Sequence, residues 1–356
     1  MKATVALSAL VALAGCASLS EDAGFSKVEQ AVKERADIEA KWARSEDDAN
    51  RIRGRVKGLL AGPLGPAQAM QIAVLNNPGL QASYAEVGIA EADLVQASRS
   101  RLEATQSRVA AEALRVAFDA RKAWFEAVAA QETAGYAAQL KDSAEASAEL
   151  ARRMAAVGNF PKLTQAREQA FYADATTQLA RARHKAAAAR ERLTRLMGLW
   201  GGDLSYQLPD RLPELPKEVR EGGELEAQAI AQRLDVQRAR REAESLAHAK
   251  AERLYLQAVN RATEAAVQAR SEVREAYSSY RTAFDIARHY RDEIVPLRKR
   301  ISEEVLLRYN GMLMSVFELL ADSREQVAAV NGYIEAARDF WLAEADLQMA
   351  LTGGGH

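Results

Sequence analysis

The stretch LEATQSRVAAEALRVAFDARKAWFEAVAA, residues 102–130, places Leu102, Val109, Val116, Ala123 and Ala130 at seven-residue intervals. It sits in a run from Leu80 to Val157 that contains no proline and only two isolated glycines, Gly88 and Gly135. Nothing there ends a helix, so the run reads as one long helix or two nearly collinear ones, up to ~115 Å at 1.5 Å per residue. Leu80, Val87 and Leu94 keep the same interval but stand one position out of step with the later series, so the register slips between about Val95 and Arg101. Apolar stripes of this period, rich in alanine, are packing seams between close helices rather than ligand boxes.

The pattern then occurs again. Leu80-Gln81 returns as Val236-Gln237, Arg167-Glu168-Gln169 as Arg324-Glu325-Gln326, and Leu196-Met197-Gly198 in kind as Leu351-Thr352-Gly353. The common offset is close to 156 residues, which marks an internal duplication. In the second copy Val259, Ala266, Val273, Tyr280, Ala287 and Ile294 form one stripe, and Leu313, Leu320, Val327, Ile334 and Trp341 another. A charge at Val273 or Leu320 is expected to break a seam between neighbouring copies. Each repeat reads as a long helix, a tight turn and a returning helix. The turns are Val157-Gly158-Asn159-Phe160-Pro161 and Tyr309-Asn310-Gly311-Met312, where Gly and Asn tolerate positive φ. Pro296 should kink the outgoing helix of the second repeat. The expected organisation is a signal peptide over 1–15, an N-terminal arm over 16–65, hairpin repeat 1 over 66–200, a linker over 201–224 and hairpin repeat 2 over 225–356. The fold class is all-α.

The N-terminus suggests a compartment. Lys2, an apolar stretch from Val5 to Leu13 and then Leu13-Ala14-Gly15-Cys16 have the form of a lipoprotein signal, with Cys16 as the lipidated residue. The apolar stretch is shorter than the roughly 20 residues that span a bilayer as a helix. Cys16 is the only cysteine. Ala17 follows it, where lipoproteins kept in the inner membrane typically carry Asp, and this points to the outer membrane.

Composition narrows the function classes. With 48 basic and 49 acidic residues the net charge is −1, which provides no basic field for nucleic acid. Eight prolines and 6% aromatics suit long solvated helices. His184, His248, His289 and His356 are scattered, with no pair at helical metal spacing and no cysteine partner, so no metal site is expected. No phosphate loop or nucleophile elbow is present, and the chain reads as a non-enzyme without a cofactor.

The run Ala73-Val74-Leu75-Asn76-Asn77-Pro78-Gly79-Leu80-Gln81, the two duplicated hairpins, Arg308-Tyr309-Asn310-Gly311 followed by Ser315-Val316-Phe317-Glu318-Leu319-Leu320, and Cys16 together resemble the TolC family, in particular its lipoprotein efflux components. The resemblance implies a homotrimer whose twelve long helices form a periplasmic tunnel, lipid-anchored to the outer membrane. It also implies docking to a periplasmic adaptor protein and an inner-membrane pump through the hairpin tips, here Val157, Gly158, Asn159, Phe160, Tyr309, Asn310, Gly311, Met312 and Leu313. Glu318 falls near the acids that constrict the family's tunnel entrance. The sequence departs from the family where it would insert paired β-strands, around Ser98 to Leu102 and His248 to Arg253. A membrane strand needs about 9 to 11 residues, and no such segment is present. The expectation is therefore a TolC-like helical tunnel without its membrane barrel, with the loss either natural or designed. The alternatives are a lipid-anchored periplasmic coiled-coil scaffold and an engineered soluble tunnel domain.

Overall fold

A computed structural model describes residues 20, 22–93, 99–158, 160–247 and 252–353. Cys16, Asn159, His248 and His356 lie outside these. Among the described residues the chain is helical with no strand. Its helices are α1 (Ser26–Ala36), α2 (Glu46–Leu59), α3 (Pro66–Asn76), α4 (Pro78–Ala92), α5 (Arg99–Ala156), α6 (Lys162–Leu196), α7 (Leu225–Gln232), α8 (Leu234–Ala247), α9 (Glu252–His289), α10 (Val295–Asn310) and α11 (Val316–Thr352).

The long proline-free run is not collinear. α4 and α5 pack antiparallel, with Glu86 paired to Arg108 and the chain reversing between them. The one-position slip in the heptad series falls at this reversal: Leu80 and Val87 of α4 and Leu102, Val109 and Val116 of α5 are buried in one shared core, each helix keeping its own register. The second repeat does the same: Arg261 reaches back to Glu242 at 3.5 Å, so α8 and α9 also form an upper hairpin. Each repeat thus has a short upper reversal and a long lower one. α5 alone covers 58 residues, ~87 Å of rod.

Pro296 does disturb the outgoing helix. Tyr290–Ile294 form a π-turn just ahead of it, and the Val295 N–H bonds to Tyr290 O five residues back. A wide turn of this kind frees the carbonyl that the proline ring would otherwise strike. Gly332 on α11 makes room for the result: a Cβ there would lie 2.6 Å from the Tyr290 ring.

α5 packs on α6 and on α11, and α11 packs on α9 and α10, so the long helices form one layer with α6 at one edge and α9/α10 at the other. The upper half carries the core. Trp124, Phe125, Leu193 and Met197 cluster beneath α3, while Val273, Tyr280, Phe284 and Phe340 join α9 to α11. Val273 is only 1% exposed within one protomer. A charge there would unfold the protomer itself rather than separate neighbouring copies.

Two segments strap this layer. The N-terminal arm reaches both repeats: Ala43 N donates to Gln81 Oε1, and Arg35 donates to Gln232 O and Gln237 Oε1. Residues 206–224 form a belt at mid-height. Tyr206 O takes Arg190, Pro209 O takes Gln131, Leu212 N donates to Glu132, and Pro213 O takes the Trp341 indole. A belt joined to α5, α6 and α11 through main-chain groups fixes the lateral order of the rods.

Candidate functional site

The lower end of the layer consists of the two long-hairpin turns. At the first, Gly158 has φ +78° and its N–H bonds to Ala155 O. A glycine in this position closes the helix without strain. At the second, the left-handed residue is not Gly311, whose φ is −78°, but Met312, with φ +61°. Met312 N bonds to Tyr309 O and Leu313 N to Arg308 O, the paired bonds of a Schellman ending. An L-residue pays ~1–2 kcal/mol for this conformation. The expectation that Asn and Gly would supply the positive φ is therefore corrected at this turn. The sequence pattern cannot show which of two adjacent residues takes the left-handed position.

The tip surface is apolar and open. Val157 is 70% exposed, Met312 93% and Leu313 81%; Tyr309 is exposed and Phe160 is half-buried. Large side chains this bare at a helix reversal contribute nothing to the protomer's own core and suit contact with another molecule.

The two turns are also tied to each other, which the sequence did not reveal. Phe160 stacks on Phe317 with ring centroids 4.7 Å apart. Above them Arg324 of α11 donates to Glu168 of α6 at 2.7 Å and lies 3.6 Å over the Phe171 ring, while Ser147 of α5 donates to the same carboxylate at 2.6 Å. Glu168 and Arg324 were visible as landmarks of the duplication. Their partnership across the two repeats was not, because periodicity reports faces and not neighbours.

Glu318 has a local task. Its carboxylate accepts Ser315 N and Ser315 Oγ, both at 2.8 Å, and Ser315 Oγ accepts Glu318 N in return. This is a complete capping box at the start of α11. The backbone N–H and the hydroxyl of Ser315 hold its pKa below the usual 4.5. The counterpart in repeat 1, α6, has Pro161 at its N-cap and no side-chain cap.

The upper end carries the two short reversals. Six residues, 93–98, separate α4 from α5, and four, 248–251, separate α8 from α9. Neither connection is long enough for one membrane-crossing strand of about 9 to 11 residues, let alone a pair. No described helix is long and apolar enough to cross a membrane. Among the described residues no group of His, Cys, Asp or Glu side chains could hold a metal, and His289 instead faces Glu293 at 3.3 Å.

Neither a family model nor a curated protein matches the sequence. Solved structures do match the architecture. A membrane protein from Pseudomonas aeruginosa aligns over 89% of this chain and 97% of its own, with a TM-score of 0.60 at 14% identity. The outer-membrane channel OprN aligns over 82% and 90%, with a TM-score of 0.61 at 14% identity. The outer-membrane protein VceC from Vibrio cholerae aligns over 92% and 96%, with a TM-score of 0.59 at 13% identity. The chain has a TolC-like fold. The all-α, duplicated hairpin arrangement expected from the sequence is what the structure contains, with the Leu80–Val157 run divided between α4 and α5.

Proposed function

We propose that the protein is the tunnel-forming component of a tripartite efflux system. In this reading it is a passive homotrimeric conduit, lipid-anchored through Cys16 to the outer membrane and extending into the periplasm. Its tips, Val157 to Phe160 and Tyr309 to Leu313, dock to an adaptor protein that links it to an inner-membrane pump, and Glu318 lines the entrance.

The observation that carries this reading is the pair of open edges. No residue of α10 is buried, and Leu297, Ile301, Leu306 and Leu307 stand exposed on it. α6, at 35 residues, buries only Glu168, Ala175, Leu179, Leu193 and Thr194. On the α9 side a groove of about 530 Å³ is lined by Ile230, Val236, Tyr255, Val259, Ala266 and Val267. A layer one helix thick with two unpaired edges closes by adding copies of itself. Twelve helices at a spacing of ~10 Å would set their axes on a circle of radius ~19 Å, which leaves a solute-sized bore.

Two measurements test this. Light scattering of the full-length protein should give three protomer masses; a monomer at micromolar concentration would sink the tunnel. Expression with its adaptor and pump in a strain without a native channel protein should restore export. The six- and four-residue upper connections favour one other reading, a barrel-less scaffold that binds partners and conducts nothing. A correctly assembled trimer that captures the adaptor at the tips yet restores no export would favour that scaffold.

A further inference from the structure

We propose that the start of α9, Arg253-Leu254-Tyr255-Leu256, is a lipid-surface contact. It would insert its apolar side chains among phospholipid headgroups and seat the barrel-less end of the rod flat on the bilayer. The proposal rests on the reading of Cys16 as the lipidated residue.

Every residue from Glu252 to Gln257 is exposed, including Leu254 and Leu256 at 53% each. Consecutive helical residues are ~100° apart, so Leu254, Tyr255 and Leu256 together face through ~200° of arc. A neighbouring rod covers one side of a helix, a stripe of roughly 100°. A second copy could therefore take Tyr255, which borders the lateral groove, and still leave the two leucines in water. A surface that receives the end of the helix can take all three. Arg253, and Arg101 near the start of α5, are exposed and can meet headgroup phosphates; Glu252 and Asp93 are exposed too, so the charge at this end is mixed and the apolar side chains carry the contact.

The position of the chain's entry fixes which surface lies there. Ser20 is pinned by its backbone N–H and hydroxyl to Glu91 Oε1, at 3.2 and 2.6 Å, in the last turn of α4. Gln106 of α5 holds Gly24 O at 2.7 Å, and Arg241 of α8 reaches Ser107 at 3.5 Å, so these groups share one level of the rod. Arg261 pairs with Glu242 at about that level, and Leu254 stands seven residues, ~10 Å, above it. Cys16 precedes Ser20 by four residues and can extend at most ~14 Å. An acyl chain on Cys16 and the Leu254 to Leu256 cluster therefore reach the same plane. Two attachments hold a protein on a bilayer far better than one.

The test uses vesicles of phosphatidylethanolamine and phosphatidylglycerol, 3:1. The protein without the signal residues 1–15 and bearing Cys16→Ser should float with them. Adding Leu254→Ser, Tyr255→Ser and Leu256→Ser should weaken flotation at least tenfold with light-scattering mass unchanged. Equal flotation of the two, or no flotation of the first, would overturn the proposal. So would a changed mass, which would make the cluster a seam between copies. The lipidated protein carrying Leu254→Trp gives a readout that survives misfolding of the triple variant. Its added emission should shift to the blue and be quenched by brominated lipid, and an unquenched, water-like emission overturns the proposal. Mass spectrometry of the native protein decides the anchor separately: an unmodified Cys16 with intact flotation removes the lipid-anchor reading and leaves the rim contact standing.

Discussion

Asn77 in the first repeat and Arg233 in the second stand 156 residues apart in the same backbone, with φ, ψ of −66°, 119° and −65°, 129°. Each is the single extended residue between two short helices, and each receives the end of a returning helix. Six residues before the neighbouring glutamine the same bond recurs: Gln81 Nε2 donates to Leu75 O and Gln237 Nε2 to Ala231 O, both at 2.7 Å. Gly198 and Gly353 close the returning helices with φ +65° and +78°. The chemistry at the centre differs. Asn77 caps α4 through Leu80 N and donates its amide to Leu196 O, while Asn76 donates to Met197 O and Gly198 O. Arg233 is 2% exposed and donates to Asp235, Glu272 and Ala350 O. The two elbows share one backbone and differ in the donor that reaches the carbonyls of the returning helix, side-chain amides in the first and a guanidinium in the second.

A neutral amide and a buried cation should not be equally tolerant. Burial works against the Arg233 charge, but the hydrogen bonds it donates to Asp235 and Glu272 outweigh it and hold the guanidinium above its usual pKa. Removing Arg233 leaves two carboxylates that are each about a third exposed and screened by water, so the cost falls below that of breaking a fully buried pair, to about 2–3 kcal/mol. Arg233→Ala should cost that much in urea unfolding. Asn77→Ala loses a cap and should cost about 1–2 kcal/mol. Equal losses would mean that the helix-end contacts, not the charge, dominate both elbows.

The glycines should rank next. An added Cβ at Gly198 would lie 2.4 Å from Asn76 O, a backbone atom that cannot yield. At Gly353 the nearest atoms are Asp235 Oδ1 at 2.9 Å and Leu234 N at 3.0 Å. Both substitutions meet the left-handed penalty, and the first adds overpacking of about 1–3 kcal/mol. Gly198→Ala should therefore lower the melting temperature more than Gly353→Ala. The reverse order would show that the second elbow is the tighter one.

These elbows mark the limit of what the sequence could tell. The duplication, the break at Asn77-Pro78, the long-hairpin turns and the lack of strand-length inserts were legible because proline, glycine and period leave local marks. The upper reversals were not, since α4 and α5 each keep a seven-residue stripe and a stripe has no direction. Arg233 gave no sign of its role, because Arg-Leu-Asp reads as a solvated helix start until Glu272 and the end of α11 close over it. The tie of Phe160 to Phe317 across 157 residues is a tertiary fact with no local signal.

At the opposite end of the rods the repeats diverge in strain. Gly158 takes the left-handed position freely, whereas Met312 takes it at a cost and projects 93% exposed. Met312→Gly should stabilise the protein by about 0.5–1 kcal/mol, and Gly158→Ala should destabilise it by about 1. If Met312 also serves the tip contact, the glycine variant will be more stable and bind the adaptor less well. A stabilised variant with unchanged adaptor binding would assign the strain no use.

The smallest effect separates two roles for Glu318. As a capping group its folded pKa lies below 4.5, so its contribution is complete above that value and disappears as the pH falls through the folded pKa. Amide exchange at Ser315 and Glu318, corrected for intrinsic rate, should then quicken only below pH ~4.5, while the start of α6, which has no side-chain cap, stays unchanged. Glu318→Gln should abolish the pH dependence. Three such carboxylates facing one another at a closed entrance would repel, and each would find its proton easier to keep. Their midpoint would move above 4.5 in the trimer and return below it in a dissociated protomer. A low midpoint in both states would leave Glu318 as the cap that starts α11 and would place the constriction, if the tunnel has one, on other residues of the tip.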